Sequence, residues 1–286
     1  MTETDLQPIQ LSLFDTEDRE VENNQPDTVQ DAERLNKINL ALVPDEEYGK
    51  IPYINVPTVN DIIKLISKAT YKVGTHELLS DVFECSAIAI SNKFDYRNYN
   101  SREERYKAIM KKYDADTRNL ICEIFAQIYV LLSSQISVGF NDYLGELYMR
   151  SETSSSKAGQ FFTPYCVSKM CAKCSVDEKI IKECIEQDRI LTTHEPTVGA
   201  GGMILALADV LYNDYHFNIA RNLFVECGDI DTRCVHMTYL QLGLAGIPAV
   251  IYHRNGLTLE TWDKWETPAY IMQYPRFARI NKSKAR

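Results

Sequence analysis

No run of eighteen consecutive apolar residues occurs in this 286-residue chain, so nothing in it reads as a membrane-spanning helix. The opening MTETDLQPIQ has neither a basic segment nor an apolar one and does not read as a secretory leader. Histidine is scarce, with five copies, and none stands at ligand or catalytic spacing from a cysteine or carboxylate. The eight cysteines lack the regular pairing of a disulfide framework and fit a reducing compartment. A cytoplasmic protein is expected. Cys166, Cys171, Cys174 and Cys184 include one C-x-x-C, whereas zinc asks for two well-spaced pairs. Cys171 and Cys174 fall at apolar helical spacing, which predicts packing as small hydrophobes and no metal site.

What the chain has in excess is acid, and the excess is local. Residues 1–49 hold thirteen acids against three bases, a balance of −10 in a total of −9, so the remainder carries +1. Such a near-neutral body argues against strong non-specific DNA binding by its whole surface, but local clusters still set phosphate affinity. One basic run, Arg276, Arg279, Lys282, Lys284 and Arg286, contains no acid. It reads first as a solvated tail and second as a phosphate contact.

Apolar periodicity divides the chain into three parts. Residues 1–50 are polar, acidic and without periodicity, and are expected to be disordered. Helical spacing then runs through Ile62, Ile63, Leu65 and Ile66, through Leu78, Leu79, Val82 and Phe83, from Asp116 to Leu132, and from Asp142 to Met149. This predicts an all-helical domain over 51–150. Residues 151–286 open on the polar SETSSS, followed by a helix after Pro164 with Val167, Met170, Cys171 and Cys174 on one face. Strands are expected at 189–191, 222–225 and 249–252, with helices at 203–211 and 234–244 between them. Strands alternating with helices predict an α/β fold with a parallel, doubly wound sheet.

Glu195-Pro196-Thr197-Val198-Gly199-Ala200-Gly201-Gly202 stands between a predicted strand and a predicted helix. Glycines there let the backbone turn tightly and approach a ligand, and the helix N-terminus presents free N–H groups. A lone G-x-G is an ordinary βα turn. Here an acid and a proline precede the glycines, and a second acid, Asp229, closes the next strand 34 residues on, where a carboxylate can accept from ribose hydroxyls. Asp231 is placed to cap the following helix.

With its methionine, Met203, this turn resembles the methyl-donor motif of amino-DNA methyltransferases, above all the methylation subunits of type I restriction systems and related phage enzymes. Upstream, Gly159-Gln160-Phe161-Phe162-Thr163-Pro164 resembles the family's N-terminal donor-binding motif, and Asp142-Tyr143-Leu144-Gly145-Glu146-Leu147-Tyr148 the helix before it. Cys227-Gly228-Asp229-Ile230-Asp231 resembles the ribose-binding turn, and Tyr252-His253-Arg254-Asn255-Gly256-Leu257-Thr258-Leu259 the turn that holds the donor's adenine. The resemblance covers about 140 to 270, in the order in which donor binding precedes catalysis.

The resemblance implies a Rossmann-like S-adenosylmethionine-dependent methyltransferase domain. It places Thr163 and Pro164 at the methionine end of the donor, Phe162 among the donor-binding residues, Glu195 at the donor's amino group, Gly199 and Gly201 where they give it room, Asp229 on the ribose and Asn255 on the adenine. It also implies an Asn/Asp-Pro-Pro-Tyr/Phe loop, in which the acceptors hold adenine N6 and the ring stacks on a flipped base. The chain offers Thr267-Pro268-Ala269-Tyr270 in that region. Either this is a degenerate catalytic loop with Tyr270 as the stacker, or both residues belong to an ordinary loop. Gln10-Leu11-Ser12-Leu13-Phe14 resembles the peptide that docks on the bacterial DNA polymerase sliding clamp, with Leu11, Leu13 and Phe14 as apolar anchors and Gln10 in a polar subsite.

Two functions are implied. One is an adenine-N6 DNA methyltransferase of phage or mobile-element type in a bacterial cytoplasm, with DNA and a specificity subunit as partners. The other is a catalytically inactive protein of the same fold that docks on the sliding clamp and modulates replication or restriction.

Overall fold

Apolar spacing and capping chemistry agree along the first helices of the computed structural model, which describes residues 55–70, 73–152 and 162–277. Helix α1 (Val59–Ala69) opens on a reciprocal cap, in which Asp61 N–H donates to Thr58 Oγ1 and Thr58 N–H donates to the Asp61 carboxylate. It buries Ile62, Leu65 and Ile66; α2 (Thr75–Ser91) buries Leu78, Leu79, Val82 and Phe83. Helix α3 (Tyr99–Met110) has no apolar period to betray it, since it buries only Arg102 and Ile109. The Arg102 guanidinium lies 3.9 Å over the Trp265 ring and donates to Asp95 at 3.0 Å, so a cation does there what a leucine does elsewhere. Helix α4 (Ala115–Ser133) starts where the Asp114 side chain accepts from the Thr117 N–H and buries Ile121, Ile124 and Ile128. A single turn, α5 (Gln135–Val138), leads into α6 (Tyr143–Glu152).

Helix α7 (Tyr165–Ser175) forms where expected but presents the opposite face. Its buried residues are Ser168 and Ala172, while Val167, Met170, Cys166, Cys171 and Cys174 are exposed. The cysteines do not pack as small hydrophobes. Small side chains win the inner face because α7 lies against α9 (Gly202–Tyr215), where Ala172 shares a cluster with Ala206 and Val210. Between them come α8 (Glu178–Glu186), capped by Asp177, and strand β1 (Leu191–Glu195). Among the described residues, no helix is long and apolar enough to cross a membrane.

The sheet has four strands in the order β1-β2-β3-β4, with β2 at Leu223–Asp229, β3 at Ala249–Arg254 and β4 at Thr261–Glu266. The first three are parallel, with Leu191 opposite Leu223 and Val225 opposite Ala249. Strand β4 runs antiparallel, with Ile251 opposite Trp265, and the order follows the sequence without reversal. The three expected strands are parallel, as predicted; the doubly wound order is corrected, and β4 is an antiparallel addition not expected from the sequence. The connection from Arg254 to Thr261 is too short for a parallel crossover, which takes a dozen residues or more.

Alternation along the strands sorts the core. Leu223, Val225 and Cys227 of β2 and Ala249 and Ile251 of β3 face a large cluster that includes α9, the single turn α10 (Ile219–Asn222), α11 (Thr232–Leu244) and the helices before residue 150. Phe224 and Val250, one step out of phase, join Tyr270 and Phe277 in a second cluster. The helices and the sheet thus share one continuous apolar core within the compact unit Asn55–Arg286. The tail peptide Gln10, Leu11, Leu13 and Phe14 lies outside the described residues.

Candidate functional site

The three parallel strands end side by side at Glu195, Asp229 and Arg254. Ligands of open α/β sheets bind beyond such carboxyl ends. The glycine turn leaves β1 there and feeds α9. Gly199 has φ +57° and Gly201 φ +98°, left-handed values that side chains resist. A Cβ on Gly199 would also lie 3.1 Å from Phe162 Cδ1, so the missing side chain lets the Phe162 ring close over the turn. Phe162 is backed by Tyr148 of α6, with ring centroids 5.9 Å apart. Tyr148 Oη in turn accepts from Arg233 Nη1 at 2.8 Å.

Asp229 ties the turn to β2. Its Oδ2 accepts from the Gly199 N–H and its Oδ1 from the Asp231 N–H, both at 2.9 Å. Burial raises its pKa above the usual carboxylate range against the lowering pull of those bonds. Two lone pairs per oxygen leave room for further donors. Asp231 caps α11 through the Arg233 N–H at 2.9 Å, as its position in the sequence suggested.

Phe162, Thr163, Gly199 and Asp229 line one cavity of about 270 Å³ together with Asp142, Thr197, Gly202, Met203 and Cys234. A second of about 260 Å³ adjoins it through shared Asp142, Phe162 and Thr163, and it includes Pro164. Together they reach the size of small-molecule sites, roughly 300–1,000 Å³. Gly201 lies behind the wall, where Thr238 Oγ1 donates to the Gly199 carbonyl at 2.8 Å. Two more expected residues, Glu195 and Asn255, are not among those lining either cavity. Glu195 Oε1 accepts from the Thr197 N–H and hydroxyl at 3.2 and 3.3 Å. Asn255 Oδ1 accepts from the Leu257 and Thr258 N–H groups at 2.9 and 3.2 Å, holding its own turn. That turn nonetheless abuts the first one, since a Cβ on Gly256 would lie 3.2 Å from the Pro196 carbonyl oxygen.

Residues 141–285 match the N-6 DNA Methylase family, half of the chain. The chain belongs to this family. Among solved structures, the methyltransferase subunit of a type I restriction-modification system from Streptococcus thermophilus is similar at 12% identity and a TM-score of 0.28, over 67% of this chain and 57% of that one. A likeness of that size adds nothing to the family match, and the chain spans 57% of that subunit's length. No curated protein matches the sequence.

In this chain, the residues of the region expected to hold the catalytic loop pack into the fold. Thr267 Oγ1 accepts from the Ala249 N–H at 2.8 Å and donates to the Ile247 carbonyl at 2.9 Å. Pro268 opens the short helix α12 (Pro268–Met272). Tyr270, expected to stack a base, is 2% exposed, and its ring stacks on Phe224 at 5.5 Å and Phe277 at 5.9 Å. Both ring neighbours are core residues, so stacking on a base would require Tyr270 to leave the core. Burial pushes its phenol pKa up to about 12.

Two residues given no role by sequence organise the site. Gln241 of α11, fully buried, donates from Nε2 to Asp142 Oδ1 at 2.8 Å and to the Ala200 carbonyl at 2.7 Å, and its Oε1 accepts from the Leu144 N–H at 3.2 Å. It joins α6, the glycine turn and α11 in one side chain. Asp142 caps α6 by accepting from the Gly145 N–H at 2.9 Å. The spacing Asp142-x-x-Gly145 at a helix start carried that signal; nothing local marks Gln241.

Proposed function

We propose that this N-6 DNA methylase binds S-adenosylmethionine at the carboxyl ends of β1 and β2 and serves methylation of adenine N6 in DNA. The observation that carries the reading is the convergence of Phe162, Thr163, the glycine turn and Asp229 on one cavity, built from four separate stretches of chain. The fit is physical: Gly199, at positive φ, and Gly202 line a cradle, and Asp229, a buried carboxylate with spare lone pairs, lines it too. The bound donor supplies an electrophilic methyl group. Asp229 takes the ribose hydroxyls, Thr163 and Pro164 border the methionine end, and Asn255 reaches the adenine once its turn opens.

Titration calorimetry with S-adenosylhomocysteine tests this. Wild type binds. Asp229→Asn binds about tenfold or more weakly, because a carboxylate–hydroxyl bond is among the stronger ones. Failure of the wild type to bind overturns the donor reading. Equal binding by both proteins overturns the role of Asp229.

The burial of Tyr270 favours a second reading for the chain by itself, donor binding without methyl transfer. The base-stacking group then comes from a partner such as a specificity subunit, and the tail peptide Gln10–Phe14 docks on the sliding clamp. Incorporation of tritiated methyl into DNA separates the readings: incorporation by the isolated chain excludes the second.

A further inference from the structure

Asp142 stands out among the buried acids. It is 7% exposed, lines both cavities, and pairs with no basic side chain among the described residues. Its Oδ1 is spent on Gln241 and the Gly145 N–H. Its Oδ2 takes no hydrogen bond from any described residue. Two glycines make space for this carboxylate. A Cβ on Gly145 would overlap it, and one on Gly202 would lie 2.8 Å from Oδ2. Glu146, the next acid along the cavity, is already paired with Arg150 at 2.6 Å.

We infer that Asp142 is the acceptor for the donor's α-ammonium group, the role the sequence resemblance gave to Glu195. The inference rests on the donor reading above and names the group that reads the amino-acid end. Three observations carry it. Glu195 is turned to Thr197 and is not among the residues lining either cavity. Asp142 stands where the two cavities meet, beside Thr163, whereas Asp229 holds the rim toward α11. A mostly buried carboxylate with one oxygen free of protein donors, at a cavity wall, gains from a cationic donor, and an ammonium brings three N–H groups to it. Burial already raises the Asp142 pKa, the direction expected of a carboxylate lacking its counter-charge.

A capping role alone would also hold an aspartate here, so the test must separate charge from cap. Asparagine caps as well as aspartate. Asp142→Asn therefore keeps Oδ1 for Gly145 and Gln241 and turns an NH₂ toward the cavity in place of Oδ2. Asp142→Ser provides a second cap-competent variant, and thermal melts establish that each is folded. Calorimetry then compares S-adenosylhomocysteine with its desamino analogue, identical but for the ammonium. Wild type should lose about tenfold or more in affinity on removal of the ammonium, the size of a charge-assisted bond. Both variants should bind the two ligands alike, within about twofold. If the variants still discriminate as wild type does, or if wild type binds both ligands equally, Asp142 is a cap only and the inference fails while the donor reading stands. If wild type binds neither ligand, the donor reading fails and this inference with it.

Discussion

Tyr270 shows how much one ring can be asked to do. Its neighbours Phe224 and Phe277 stack at interplanar angles of 25° and 22°, forming the second core cluster beneath β2 and β3. Truncating a fully packed aromatic costs about 3–5 kcal/mol. Tyr270→Ala should therefore lower the unfolding free energy measured by urea titration by that amount, while Tyr270→Phe, which keeps the ring, should change it by about 1 kcal/mol or less. A Tyr270→Ala protein of unchanged stability would mean that the ring is free to leave the core, and would restore it as a candidate for base stacking. Asp229 and Asp142 present the opposite case, since each is held by backbone N–H groups and keeps acceptor capacity in reserve. That reserve, rather than the bonds already made, is what the proposed donor would use.

At the scale of elements, the glycine turn is braced from outside itself. Its carbonyls at Gly199 and Ala200 accept from Thr238 and Gln241 of α11, and Gln241 also reaches the start of α6. Removing Gln241 leaves the Leu144 N–H and the Ala200 carbonyl without these partners in the core, at about 1–3 kcal/mol for each group. Gln241→Ala should unfold at lower denaturant, and amide exchange at Leu144 should quicken relative to the middle of α9. Exchange at Leu144 equal to wild type would show that water or a shifted backbone replaces the brace. The same scale explains the misjudged α7. Periodicity located the helix, but its stripe of Val167, Met170, Cys171 and Cys174 is the exposed one. Close approach to α9 selects Ser168 and Ala172 for the interface, because small side chains let the two helices meet.

At the scale of the molecule, the proposal gives the acidic segment and the near-neutral remainder separate tasks. The peptide Gln10–Phe14 should bind the sliding clamp without help from the folded unit, since apolar anchors dominate small interfaces. Leu13→Ala with Phe14→Ala in the full chain should reduce binding to immobilised clamp by about tenfold or more while leaving the melting temperature unchanged. Equal binding by the two proteins, or none by either at micromolar concentration, removes the clamp from the proposal. Sequence by itself determined the elements whose cause is local: α1, α2, α4, α6, the glycine turn and β2, each marked by apolar period, a cap or a required positive φ. It also determined the family, because the motifs that carry the resemblance are short and contiguous. Helix α3 escaped it, since a helix that buries an arginine against Trp265 has no apolar period to read. Only the tertiary structure decided which face of α7 is inside, that Tyr270 is core, and that Asp142 rather than Glu195 lines the cavity. Each of these depends on a neighbour distant in sequence, and a side chain's surroundings are set by what packs against it rather than by the residues beside it in the chain.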